Sequence, residues 1–253
     1  MDEDPDMIAE RLGESYELEE ETGGEVALNV VNSSHRPNAA TVRLASSVGL
    51  KKLKEFTARF YELAFEDPQI DAFIREHGDH HSERFALWIA EKFGLGKPWT
   101  EERKSRVSPA FESRGYVVDG AFDRSSAHFA AWHSPKRSKE RWGDHFKLDD
   151  CRVWMRLHFK AARDVGIIDD EFGRYYVKFI AHFVSVYERT APQFARESAR
   201  WSEDPSNFQR YLDDGRTMRD LKGLTLPQAL AQLPDHERGY TGSTAPLKLW
   251  PYA

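Results

Sequence analysis

The residues that could do chemistry here are mostly histidines. His128 and His133 lie in the stretch "SSAHFAAWH" at 125–133, with Phe129 and Trp132 between them and Pro135 just beyond. His158 shares a helical stripe with Cys151 and Trp154, and His81 sits one turn before Phe85 on the same face. An imidazole in such a place either gives a nitrogen lone pair to a metal or, once buried, finds hydrogen-bond partners. His77 and His81 form an i, i+4 pair, which without a third ligand is weak support for zinc. The chain also lacks the Glu-x-x-His pairs of di-iron bundles. Tyr61 and Trp154 add an O–H and an indole N–H, each either a donor to a small ligand or plain core packing.

These groups must be held by helices. Leu53, Phe56, Phe60, Leu63 and Ala64 recur with helical spacing over about 48–66, and Asp67-Pro68 ends the run. A short helix is expected at "QIDAFIREH". Asp79 is expected to cap another, through about Phe93, with Phe85, Trp88, Ile89 and Phe93 as its stripe. Gly94, Gly96 and Pro98 stop it. Residues 97–122 show no sustained period and read as a long loop. "SSAHFAAWH" follows as a short helix capped by Ser125 or Ser126. Asp149 starts a helix to Val165 with Cys151, Trp154, His158, Ala161, Ala162 and Val165 inward. Asp169 opens the next, striped by Phe172, Tyr175, Tyr176, Phe179, Phe183 and Tyr187. The domain scheme is a polar arm over 1–47, with one short strand expected at "EVALNVV", a helical domain over 48–190, and an extension over 191–253 packed on it. Short helices are expected in that extension at "PQFARESARW" and "NFQRYLDDG".

Composition narrows the classes. With 253 residues, 40% hydrophobic, the chain can bury a substantial core. A net charge of −6 gives no general argument for nucleic acid, and the basic run "KRSKER" at 136–141 reads as a solvated loop. The lone Cys151 excludes an intrachain disulfide framework and a Cys-rich zinc site. No apolar run is long enough to span a bilayer, and "MDEDPDM" is unlike a signal peptide. The expectation is a cytoplasmic protein that binds neither membrane nor nucleic acid.

Taken in order, several stretches resemble the truncated haemoglobins, the two-over-two helical globins, and most of all their second group. "ARFYELAFEDP" resembles the family's second helix with its distal tyrosine, here Tyr61. "ERFALWIAEKFGLGKPWTEER" resembles the distal helix and its glycine stop. "AHFAAWHSPKR" resembles the proximal segment, whose second histidine is the iron ligand, here His133. "FKLDDCRVWM" resembles the start of the penultimate helix, with its haem-facing tryptophan, here Trp154. The likeness covers about 48–190. It departs from the family in a longer path from His133 to Trp154, Trp132 where arginine is usual, the long loop at 97–122, and both termini.

The resemblance implies an all-α globin fold, haem b as cofactor, and O2, NO or CO as ligand. His133 would be the proximal ligand, since iron wants a neutral imidazole whose other N–H is fixed by an acceptor, and helix C-termini offer spare carbonyls. His128 is the fallback. Phe85, Trp88, Trp132 and Trp154 would wall the haem, and Arg84 would pair with a propionate. Tyr61, Trp154 and His81 would bond the ligand, with His81 also a candidate sixth iron ligand. NO dioxygenation, a peroxide reaction or sensing would follow family precedent, and turnover would need an external electron donor. The alternative is a globin-like module without haem that acts through interactions. The sequence does not fix the oligomeric state.

Overall fold

The computed structural model describes residues 26–105, 111–113, 116–118, 124–217 and 225–233. Most of the expected N-terminal arm, with its acidic cluster, and the end of the tail lie outside these residues. The fold is all-α. Its only strands among the described residues are two small hairpins, β1 (Val30–Val31) with β2 (Ser34–His35) and β3 (Phe111–Ser113) with β4 (Tyr116–Val118).

Helix α1 runs Ala39–Glu66 and starts earlier than the large apolar residues suggest. Asn38 and Thr41 close a reciprocal cap: Thr41 N donates to Asn38 Oδ1 at 3.0 Å, and Asn38 N donates to Thr41 Oγ1 at 2.9 Å. The first part buries Ala40, Thr41, Leu44 and Ala45, mostly small residues whose periodicity is faint. Gly49 (φ 78°, ψ 152°) breaks the helix, and the predicted stripe Leu53, Phe56, Phe60, Leu63 and Ala64 is buried beyond it. Asp67 ends α1 and caps α2 (Pro68–Asp71), its Oδ1 accepting from Gln69 N and Ile70 N at 3.0 and 3.2 Å.

Helix α3 (His81–Lys92) begins after the expected cap residue. Asp79 instead accepts from His80 N at 3.0 Å and pairs with Arg84 at 2.7 Å. The predicted loop is helical over α4 (Pro98–Ser105). Only Thr100 of α4 is buried, and the Glu91 carboxylate on α3 accepts from Thr100 N at 2.8 Å. That support comes from a neighbouring helix, so no local pattern announces it.

After α5 (Arg124–Trp132) and a 3-10 turn at Lys139–Arg141 comes α6 (Leu148–Asp164). Asp150, rather than Asp149, closes its first turn by accepting from Lys147 N at 2.7 Å. In α7 (Glu171–Val184) the cap is Asp170, one place after the expected Asp169, accepting from Gly173 N at 3.0 Å. Gly173 is needed for packing, because a Cβ there would lie 1.9 Å from the Ile168 carbonyl oxygen. The stripe Phe172, Tyr175, Tyr176, Phe179 and Phe183 is buried; Tyr187 is half-buried beyond the helix end.

The extension continues the core. A 3-10 turn at Ala191–Phe194 leads into α8 (Ala195–Trp201), α9 (Pro205–Asp213) and α10 (Leu226–Ala231). Helix α1 packs on α3 and α6, and α6 on α8. As a result α6 is buried on almost every side rather than along one stripe. Glu197 on α8 pairs with buried Arg152 at 2.9 Å and Arg156 at 2.5 Å. Tyr211 on α9 donates to buried Asp67 at 2.6 Å. Each large apolar side chain in this core contributes about 1.5–3 kcal/mol by leaving water.

Candidate functional site

His133 follows the last residue of α5, where the helix runs out of intrahelical donors for its final carbonyls. Its backbone N–H and its ring both turn back on the Phe129 carbonyl, at 3.2 Å and 2.8 Å. The ring contact is Nδ1–H donating to the carbonyl, which leaves Nε2 with its lone pair. The loop after the helix is pinned to the same end. Arg137 Nη1 donates to Trp132 O at 2.6 Å and to Asp144 O at 2.9 Å, and Gly143 N donates to Trp132 O at 3.1 Å. Gly143 adopts φ +86°, and a Cβ there would come within 3.5 Å of His133 Nε2. Glycine supplies the left-handed turn there, and a Cβ would meet the nitrogen only in ordinary van der Waals contact.

Arg137 corrects one sequence expectation. It belongs to the basic run read as solvated, yet it is buried and lies over the Phe73 ring at 4.5 Å. Sequence reasoning missed both Arg137 and Gly143, and nothing in their immediate sequence distinguishes them from ordinary loop residues.

Tyr61, His81, Phe85, Trp88 and Trp154 gather in a second cluster on α1, α3 and α6, while His128 and Trp132 stay on α5. Phe60 is its hub, with ring centroids 5.1 Å from Tyr61, 6.2 Å from Phe85, 5.5 Å from Trp154 and 5.1 Å from His158. Trp88 lies 5.8 Å from Phe85 and packs deeper, against Phe179 and Phe183. Tyr61 is half-buried, and its hydroxyl has no hydrogen-bond partner among the described residues. Desolvation, reinforced by the Asp79 charge, raises its pKa, so the group stays a neutral donor. The Trp154 indole N–H is likewise without a partner among the described residues, and its ring stacks on His158 at 4.4 Å and 16°.

His81 stacks on Tyr61 at 5.5 Å and 20°, and its Nε2 lies 3.1 Å from the Glu76 carbonyl, to which it donates. Burial lowers its pKa, so it is held neutral. Arg84 is paired with Asp79 and with Glu102, at 2.7 and 3.1 Å. His77 stacks on Phe65 at 4.2 Å and bonds Asp71 at 2.6 Å. His128 packs edge-on against Tyr187 and Phe146, 4.6 and 5.6 Å away. Trp132 stacks on His145 at 3.9 Å and 12°, with its Nε1 buried and unbonded among the described residues.

The two clusters do not touch through these side chains. Among the described residues no ring contact or hydrogen bond joins His133 to Tyr61, His81, Phe85 or Trp154. The link runs around them: Tyr61 packs on Phe65, Phe65 on His77, and His77 meets Lys136 at 3.1 Å in the loop just past His133. No group of three or more His, Cys, Asp or Glu residues suited to a metal ion occurs among the described residues.

No family model, curated protein or solved structure matches the chain. One region offers an imidazole oriented through Nδ1. The other offers two hydrogen-bond donors, from Tyr61 and Trp154, set in an aromatic surround.

Proposed function

We propose that the chain is a haem-binding protein of truncated-globin type, with the two-over-two arrangement formed by α1 and α3 against α6 and α7, and that it binds a diatomic gas. The observation that carries this reading is the placement of His133 at the end of α5: anchored through Nδ1–H to the Phe129 carbonyl, with Nε2 free of any hydrogen-bond partner among the described residues. That is the tautomer and support an axial imidazole needs. His133 would hold the iron of haem b, and the bound iron would supply the affinity for O2, NO or CO. Phe85, Trp88, Trp132 and Trp154 would form the apolar walls. Tyr61 O–H and Trp154 N–H would donate to the ligand, which gains negative charge on binding. His81 reaches the iron or the ligand only by releasing the Glu76 carbonyl, so the reading predicts an open sixth position at rest. Arg84 meets a propionate only by exchanging one of its two carboxylate partners.

Redox turnover with NO or peroxide belongs to the same proposal and requires an electron donor from outside the chain. The test is haem titration of the purified protein, followed by spectra of the ferric, ferrous and CO forms. Tight one-to-one uptake with a five-coordinate ferrous spectrum supports the reading. Absence of a Soret band after titration removes it, and so does retention of a normal spectrum in His133→Ala. Tyr61→Phe should speed O2 dissociation; an unchanged rate removes Tyr61 from the ligand's partners.

A further inference from the structure

The most enclosed polar contact that ligand binding leaves unused is between Tyr176 and His158. Both side chains are fully buried. Tyr176 Oη lies 2.8 Å from His158 Nε2, and His158 Nδ1 has no hydrogen-bond partner among the described residues. Two proton arrangements fit the distance. With the phenol donating to Nε2, the single orphan is Nδ1–H. With Nε2–H donating to the phenol oxygen, both the Nδ1 lone pair and the phenol proton are stranded. Each stranded buried group costs roughly 1–3 kcal/mol, so the first arrangement prevails. Burial holds the imidazole well below its ordinary pKa and the phenol well above, so both are neutral.

The stack continues outward. The His158 ring lies between Trp154, at 4.4 Å and 16°, and Tyr176, at 5.5 Å and 23°. Phe56 and Phe60 meet it edge-on at 4.7 and 5.1 Å. Trp154 is half-buried, so it is the end of the series nearest a reagent outside the core. Oxidised phenol is a strong acid, and a buried tyrosine yields an electron readily only where a base takes its proton at once. His158 is that base. The cation it becomes would lie against the face of Trp154, which attracts positive charge.

We propose that Trp154, His158 and Tyr176 form a one-electron relay in which Tyr176 is a buried tyrosyl-radical site. A metal-centred one-electron oxidant at the Trp154 edge takes one electron from the indole and is itself reduced by one electron. Trp154 is refilled by one electron from Tyr176. The phenol proton crosses to His158 Nε2, leaving a neutral phenoxyl radical beside an imidazolium. Reduction of the radical by one electron returns the proton. The relay lies beyond ligand binding and does not require bound haem, so it stands or falls separately from the haem reading.

The test uses the full haem-free chain with flash-generated ruthenium(III) tris-bipyridine as oxidant, read by transient absorption and freeze-quench EPR. The expected result is a tyrosyl radical that forms more slowly in D2O, is lost in Tyr176→Phe and His158→Phe, and appears late in Trp154→Phe. Pulsed EPR of the unaltered chain should also show a hydrogen bond from an imidazole nitrogen to the phenoxyl oxygen, and that signal should persist in Tyr175→Phe, which removes the other buried tyrosine–histidine pair, with His35. A radical of undiminished yield in a folded Tyr176→Phe overturns the relay. So does an unaltered chain whose radical carries no imidazole coupling, or that yields no tyrosyl radical at all.

Discussion

His133 and His158 are each held through one ring nitrogen, but from opposite sides of the imidazole. His133 is gripped at Nδ1 by a carbonyl of its own helix, and Nε2 is left with its lone pair at a half-buried helix end. His158 is gripped at Nε2 by a phenol from another helix, and the rings of Phe56, Phe60, Phe85 and Trp154 pack against it. The first arrangement is local and leaves one ring nitrogen without a hydrogen-bond partner among the described residues. The second is tertiary and hides the ring from solvent and metal alike. The identity of the anchoring partner, rather than the presence of histidine on an inward face, separates a presented imidazole from a structural one.

The largest effect that would sharpen this contrast is on stability. His158→Ala should destabilise the haem-free protein by about 3–5 kcal/mol, the cost of emptying an aromatic-sized site in a packed core. His133→Ala should cost no more than about 1 kcal/mol, as expected for a partly exposed side chain. Chemical denaturation of both variants decides it, and equal losses would break the comparison.

Acid comes next. His158 is held neutral in the fold, with its pKa well below the 6.5 of a free imidazole. Below about pH 6.5 the unfolded chain therefore binds a proton that the folded chain does not, and stability falls as pH falls. The slope from this one group approaches about 1.4 kcal/mol per pH unit. Denaturation midpoints measured from neutral to mildly acidic pH should drop, and His158→Phe should lessen the drop. An unaltered slope in that variant would mean that the ring is already protonated or solvated.

At the other histidine, Gly143→Ala forces an L residue into a left-handed conformation, costing about 1–2 kcal/mol. It also sets a methyl group beside Nε2. Haem affinity should weaken more than the stability of the haem-free chain does, and an unchanged affinity would show that the face beside Gly143 is not the one haem uses. The smallest effect belongs to Lys136→Ala, which removes a partly exposed link from the His133 loop to Asp71 and His77. A loss of no more than about 1 kcal/mol is expected, and a larger one would mean that this link holds the two clusters in register.

Much of this was legible in the sequence where the signal is local and bulky. The Leu53–Ala64 and Phe172–Phe183 stripes, the break at Asp67-Pro68 and the short helix ending near His133 follow from periodicity and proline chemistry. The segment Ala39–Val48 did not stand out, because its buried face is made largely of small residues. Helix α4 escaped because a carboxylate on another helix supports its first turn. Arg137 and Gly143 escaped because their roles are set by carbonyls and a ring that only the folded chain brings near. Tyr176 and His158 each appeared on an inward stripe, but their hydrogen bond is a property of helix packing, which periodicity does not encode. The Arg152–Glu197–Arg156 group is the same kind of case, and it explains why α6 is buried beyond its apolar stripe.

The most direct measurement is the absorption spectrum of haem-titrated protein compared with that of His133→Ala and His128→Ala. We expect a Soret band and a ferrous-CO complex in the unaltered chain, their retention in His128→Ala, and their loss in His133→Ala. A band that survives in His133→Ala, or one that never forms in the unaltered chain, would contradict the assignment of His133 as the iron ligand.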